Sequence, residues 1–436
     1  NGVATASMIL YQVETAVVEV TDGSIVSDGT DRLTVDVTAG TFSKLLIALA
    51  SPQNNAWTFK GINTLTAKDA YGNTVTSFNS NTNPITITST LTGSISGYTA
   101  NVMNQVGNFS SGVANLTSNL VFTGTVGTGT FTFTPQTGTA ITSGNVIINA
   151  GAATKLIITG SVTQTAGSSQ TLTITAKDAS GNTALGYTGS KLVTFSGATS
   201  SASPVTAPSI DGTNMGTATS LNFSQGVATA VMRLYKAETA TITASEGTIA
   251  SIGTDRLTVA VSTATMSKFE LNLSSPQVAG QAFVGVNTLT AQDAFGNIIT
   301  NFNASSNNVT VSTNSLGTIS GLSGTNKLNA ATDFVNGVAN LTSLGLIYTG
   351  ETGAVTFTFT ASTGATVTSP SITLSSGEAA KIKLSTIANH VAGLPQTITA
   401  TLVDVTNNPV KATANGVITL TVKKGTGTLT GTVSAT

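Results

Sequence analysis

The sequence predicts an all-β chain of tandem β-sandwich domains in a linear array. Three observations predict it: apolar residues alternate with Thr and Ser at period 2, turn residues punctuate those runs at short intervals, and a unit of about 110 residues recurs along the chain. The alternation is clearest at residues 130–134 (Thr-Phe-Thr-Phe-Thr), 355–360 (Val-Thr-Phe-Thr-Phe-Thr) and 418–422 (Ile-Thr-Leu-Thr-Val). Each run is rich in β-branched residues and places its apolar side chains on one face and its Thr hydroxyls on the other. Gly, Asn, Ser and Asp cluster between the runs, as hairpin and sandwich loops require, and no stretch carries the apolar spacing of an amphipathic helix.

The recurrence has two levels. Residues 2–8 (Gly-Val-Ala-Thr-Ala-Ser-Met) return at 226–232 with Val for Ser, and residues 30–35 (Thr-Asp-Arg-Leu-Thr-Val) return at 254–259, both 224 positions on. The same register carries residues 63–73 (Asn-Thr-Leu-Thr-Ala-Lys-Asp-Ala-Tyr-Gly-Asn) onto 287–297. Inside this long repeat, the Asp-x-x-Gly-Asn turn of Asp69 and Asp293 occurs again at Asp178, and as Asp-Val-Thr-Asn-Asn at Asp404. Successive copies lie 109, 115 and 111 residues apart, the length of one immunoglobulin-like sandwich, so the long repeat is a pair of unlike domains. Lys44, Lys155, Lys268 and Lys381 each precede an apolar run and mark the first strands.

Aligning the copies gives complete immunoglobulin-like domains at 41–152, 153–264 and 265–378. Residues 1–40 match only the closing strands of a domain, and residues 379–436 only the opening strands. A half-sandwich leaves an unpaired sheet edge and an open apolar face. Two arrangements would complete it: the sequence is a window on a longer array, or consecutive subunits complete one another head to tail by strand addition. In the second, the assembly contacts fall on Asn1, Gly2, Val3 and Ala4 at one end, and on Val417, Ile418, Leu420 and Val422 at the other.

Composition excludes several functions. Charged residues make up 8% of the 436, against about 25% in ordinary soluble domains. With 17 basic and 18 acidic residues there is no field to draw nucleic acid. The mean hydropathy of +0.26 comes from alternating runs, none of which approaches the roughly 20 continuous apolar residues of a spanning helix, so the chain is not expected to be membrane-embedded. There is no cysteine, hence no disulfide.

The Lys-apolar first strand, the Ala-Lys-Asp-Ala-Tyr-Gly-Asn hairpin of residues 67–73 with its counterpart at 176–182, and the Gly-Val-Ala strand together resemble the tandem bacterial immunoglobulin-like repeats of invasin- and intimin-type surface proteins, and those of prokaryotic surface-layer proteins and adhesins. The resemblance covers essentially the whole chain. It implies a secreted, cell-surface protein of structural role: the repeating subunit of a filament, sheath or surface layer, with itself as partner and glycans or a neighbouring cell surface as further partners. The alternative it implies is the stalk or binding region of a large adhesin, with the Ser/Thr/Gly/Pro-rich residues 196–220 as the ligand loop.

Among single residues, Asp69, Asp178, Asp293 and Asp404 are the candidate calcium ligands, since carboxylates beside loop carbonyls suit a hard cation. Asp at the first and Gly at the fourth position is equally what a type I turn prefers. No cofactor is otherwise expected. The first-strand lysines are candidates for isopeptide bonds, with Asn63 and Asn287 as acceptors. Asp31-Arg32 and Asp255-Arg256 are candidate ion pairs at domain junctions, and sequons stand at Asn108, Asn115, Asn222, Asn272, Asn303, Asn308 and Asn340. Trp57 reads as core or hairpin packing. The single histidine, His390, has neither a cysteine nor a recurring acidic partner, and the acidic residues are scattered over turns, so no catalytic group is expected and the chain reads as a non-enzyme.

Overall fold

The computed structural model describes residues 2–387, 389–414 and 416–429, together with the backbone of the strand Thr432–Ala435. Asn1 lies outside them. The chain is built almost wholly of short strands, and three separate apolar cores lie along it, drawn from residues 45–148, 156–261 and 269–374. The sandwiches around them are called units 1, 2 and 3 below.

Period-2 alternation explains each core directly. In the strand Ala218–Phe223 the residues alternate exposed and buried, as they do in Val227–Arg233 and Leu257–Ser262. Unit 2 is a two-layer sandwich. One layer runs Lys155–Thr159, Ser169–Lys177, Val227–Arg233 and then a small hairpin, Ser209–Ile210 with Thr213–Asn214. The other runs Thr163–Thr165, Leu257–Ser262, Thr239–Glu246, Gly189–Ser196 and Ala218–Phe223, with the first pair parallel.

Units 1 and 3 share a different plan, which is why the long repeat joins unlike domains. In each, the Lys-apolar strand, the second strand and the Gly-Val-Ala strand form one three-stranded sheet: Lys44–Ala48, Thr64–Lys68 and Val113–Asn115 in unit 1, and Met266–Asn272, Thr288–Asp293 and Val338–Asn340 in unit 3. An aromatic trio fills both cores. Phe131 meets Phe59 and Phe122 edge-on at 5.4 and 5.7 Å, and Phe357 meets Phe283 and Tyr348 at 5.4 and 5.8 Å. The sequence shows no helix, and the described residues hold a single α-helical turn, Leu341–Leu344, capped by the Asn340 side chain.

Outside the three units the strands among the described residues come in pairs. Glu14–Val18 pairs with Leu33–Val37, Lys381–Leu384 with Ala400–Val403, and Gly416–Thr419 with Thr432–Ala435. Residues 2–11 belong to no strand. Side chains whose counterparts are core in unit 2 are open here: Met8 is 47% exposed against 0% for Met232, and Leu33 55% against 6% for Leu257. Of the two readings of Trp57, core and hairpin packing, the core one fails: the residue lies in the turn after Gln53–Asn54. It is half exposed, with the Lys60 ammonium 5.4 Å from its ring.

Candidate functional site at the unit junctions

The Asp-x-x-x-Asn turn lies where each unit meets the one before it. Locally the sequence dictates the turn: Oδ1 of Asp69 accepts the N–H groups of Tyr71 and Asn73 at 2.9 and 2.8 Å. The same two bonds form at Asp178 from Ser180 and Asn182, at Asp293 from Phe295 and Asn297, and at Asp404 from Thr406 and Asn408.

The second carboxylate oxygen reaches outside the turn. Oδ2 accepts the N–H of the linker that leads into the unit: Gly40 at 3.0 Å for Asp69, Gly151 at 3.0 Å for Asp178, Ala264 at 2.9 Å for Asp293 and Gly377 at 3.1 Å for Asp404. It also accepts from the Asn that closes the turn, at 2.9, 3.1, 2.8 and 3.0 Å in the same order.

That Asn makes the crossing. Asn73 Nδ2 donates to Tyr11 O at 2.7 Å while its Oδ1 accepts from Val13 N–H at 3.0 Å. Asn297 holds Tyr235 O and Ala237 N–H in the same way, both at 2.8 Å. Asn182 and Asn408 donate to Gly124 O and Gly350 O, again at 2.8 Å. At the first of these two, buried Asn55 of unit 1 adds a bond to Asp178 at 3.0 Å; its counterpart in unit 3 is Ala279. Each junction is thus a clasp of one carboxylate, one carboxamide, a linker amide and a carbonyl of the preceding unit.

The electrostatics follow from the donors. All four aspartates are at most 2% exposed, yet every oxygen is met by N–H groups. The Asn73 amide has the largest influence on Asp69 and, with the backbone donors, holds it at about 2, well below the ordinary 3.8. Burial alone would raise Asp404, but Asn408, Thr406 and the Gly377 amide outweigh it and bring it to about 2. Asp178 is also lowered, burial being opposed by Asn182, Gly151 and Asn55. The four candidate calcium ligands therefore face inward-pointing donors, and among the described residues no three acidic, His or Cys side chains gather into a group that could hold a metal ion.

Two of the four clasps carry an aromatic pair. Tyr71 meets Tyr11 at 4.7 Å and Phe295 meets Tyr235 at 5.1 Å, whereas Ser180 and Thr406 occupy the matching places in the other two. At Phe295 the loop from residues 196–220 is drawn in: Ser203 N–H donates to Phe295 O and Lys268 Nζ donates to Ser203 O. Glu238 pins the same loop by accepting from the Thr199 N–H and hydroxyl, and pairs with Lys236 at 3.5 Å.

Apart from Lys268, whose ammonium reaches Ser203 O, the other candidate residues are not brought to these junctions. Lys44 pairs with Lys68 at one end of a strand pair and Asn63 adjoins Thr64 at the other, four residues or about 13 Å along, too far for an isopeptide bond. Lys268 and Asn287 are placed alike. Asn63 and Asn287 instead pin loops, accepting from Ala50 and Ser274 N–H. Asp255 pairs with Lys155 of its own unit at 3.1 Å, and Arg32 with Glu19 of its own hairpin at 3.1 Å, so neither Asp-Arg pair bridges units. His390 is exposed.

The fold and its joints define a string of β-sandwiches clasped unit to unit. No protein-family model and no curated protein sequence matches the chain. Among solved structures it is similar to invasin, a bacterial integrin-binding protein, with 17% identity and a TM-score of 0.29 over 76% of this chain and 60% of that one. It is similar to domains 4–9 of the surface layer protein SbsC, with 16% identity and a TM-score of 0.22 over 79% and 49%. It is similar also to the Yersinia pseudotuberculosis adhesin InvE, with 17% identity and a TM-score of 0.23 over 60% and 75%. The chain spans 60% of the length of the invasin structure.

Proposed function

We propose that this chain is a structural element of an extracellular array at the cell surface, in which clasped sandwiches provide reach and continuity. In this reading, consecutive copies join head to tail through the strand pairs on either side of units 1 to 3. The observation that carries it is the fourfold clasp. The most regularly repeated buried polar group of the molecule is spent on joining one unit to the next. An extracellular filament, sheath or surface layer is also what the resemblance to bacterial surface repeats implies.

The stalk of a large adhesin is the second reading, and the loop of residues 196–220 was its natural ligand site. Ser201 and Ser209 of that loop are buried, and Ser203 is engaged with unit 3, which gives the loop a joining task.

Negative-stain electron microscopy with light scattering on the purified chain tests the proposal. Filaments whose axial repeat spans four unit lengths are expected. A chain that stays monomeric at every concentration would overturn head-to-tail joining.

A further inference from the structure

We infer that residues 2–8 of one copy form the missing third strand beside Ala400–Val403 of a second copy, in the register that unit 2 uses within itself. This rests on the end-to-end reading above and gives it a residue-level geometry.

Unit 2 is the template. There the second strand, Ser169–Lys177, has the opening strand on one side and Val227–Arg233 on the other. The strands Lys381–Leu384 and Ala400–Val403 reproduce the first half of that arrangement, with Lys381 opposite Val403 as Lys155 is opposite Lys177. Apart from the turn's own Pro409, which bridges Val403, and Val410, which donates to Leu402 O, as Thr183 bridges Lys177 and Ala184 donates to Ala176 O in unit 2, nothing among the described residues pairs with the other edge of Ala400–Val403. Residues 2–8 differ from 226–232 only at Ser7, which stands for the exposed Val231. The three inward residues of that strand, Ala228, Ala230 and Met232, are buried, and Ala4, Ala6 and Met8 repeat them identically. The acceptor presents Ile398, Ala400 and Leu402 where unit 2 has Leu172, Ile174 and Ala176, exchanging bulk between adjacent inward positions.

The pairing of Thr175 with Val227, Ile174 with Ala228 and Gln170 with Met232 then places Thr401 opposite Val3, Ala400 opposite Ala4 and Gln396 opposite Met8. The second sheet closes in the same step. In unit 2 Phe195 lies opposite Ala244, which places Leu420 opposite Val20. Val20 waits in the right conformation: its N–H donates to Ser27 Oγ and its carbonyl accepts from Ser27 N–H, as Ala244 does with Ser251. It is 73% exposed where Ala244 is 1%. One further match lies at the joint. Gly167 leaves room for the Phe295 ring, which a Cβ there would meet at 2.5 Å, and Gly393 and Tyr71 are the counterparts of those two residues. Val417 takes no part inside the joint, since it corresponds to Leu192, which is 64% exposed on the outer face.

A cysteine cross-link tests the register, and the chain has no cysteine of its own to confuse it. The bond from Ala176 N–H to Gly226 O makes Thr175 and Val227 a non-hydrogen-bonded pair, whose Cα atoms approach to about 4.5 Å and suit a disulfide. Both template side chains lie away from the core, so the double variant Val3→Cys, Thr401→Cys is expected to fold. Mild oxidation of the assembled variant is expected to give a ladder of covalent multimers that reducing agent collapses, and Val3→Cys with Thr399→Cys is expected to give none. Assemblies that form without the first ladder, or with an equal ladder from the second pair, overturn this register and leave end-to-end joining standing. A variant and parent that both remain monomeric overturn the two together.

Discussion

A turn and a clasp place different demands on the same five residues. The turn needs Asp first and a residue tolerating positive φ fourth, and even the altered copy satisfies it, with Asn407 at φ 71° in place of Gly. It does not need Asn fifth. Yet Asn73, Asn182, Asn297 and Asn408 are all present, and that invariance inside one chain was the legible sign of a second task. What the sequence could not show is the reach, since the acceptors lie about 60 positions upstream, on Tyr11 and Tyr235 in two copies and on Gly124 and Gly350, each the last residue of a strand, in the other two. Asn297→Ala would leave Tyr235 O and Ala237 N–H to solvent and remove a donor from Asp293. A loss of about 1–3 kcal/mol is expected, read as an earlier denaturant transition for unit 3. The pH response follows from the sign of the shifts. Asp69 and Asp404 titrate lower folded than unfolded, so their contribution is full above the ordinary value of 3.8 and is lost as pH falls through about 2. Hydrogen exchange at the Gly40 and Gly377 amides is expected to rise over that window, after correction for intrinsic acid dependence, while the strand amides of the cores stay protected.

At the level of elements, period 2 made the strands and the apolar cores readable, because a residue such as Phe131 or Phe133 can face only one side of its sheet. Pairing partners were less readable. Short strands of three to five residues carry little register information, and the parallel pairing of Gln53–Asn54 with Val146–Asn149 has no local sequence sign. The long loop of residues 196–220 looked like a free surface because its composition is polar, whereas its backbone is held by Phe295, Lys268 and Glu238. The aromatic clasps give this level its test. Phe295→Ser makes the joint between units 2 and 3 resemble the one between units 1 and 2, where Ser180 stands. Spin labels placed on exposed sites of units 2 and 3 are expected to show a distance distribution that broadens in this variant, with the distribution between units 1 and 2 unchanged. Equal widths before and after would mean the ring contributes nothing to the joint.

For the molecule as a whole, the array was legible because the chain contains its own comparison. The offset of 224 residues separates what each unit needs from what drifted, and unit 2 shows what the strand pairs outside the three units lack among the described residues. The identity of whatever covers those faces was not legible from either pair alone, since an open apolar face specifies a complementary strand and not its source.

Each clasp joins one carboxylate to neutral N–H donors, so there is no opposing ion for dissolved salt to screen. Charge is also sparse over the rest of the chain. Clasps of this kind are expected to hold from fresh water to brine, so that the salinity around the chain reaches its joints only through outlying ion pairs such as Lys236–Glu238.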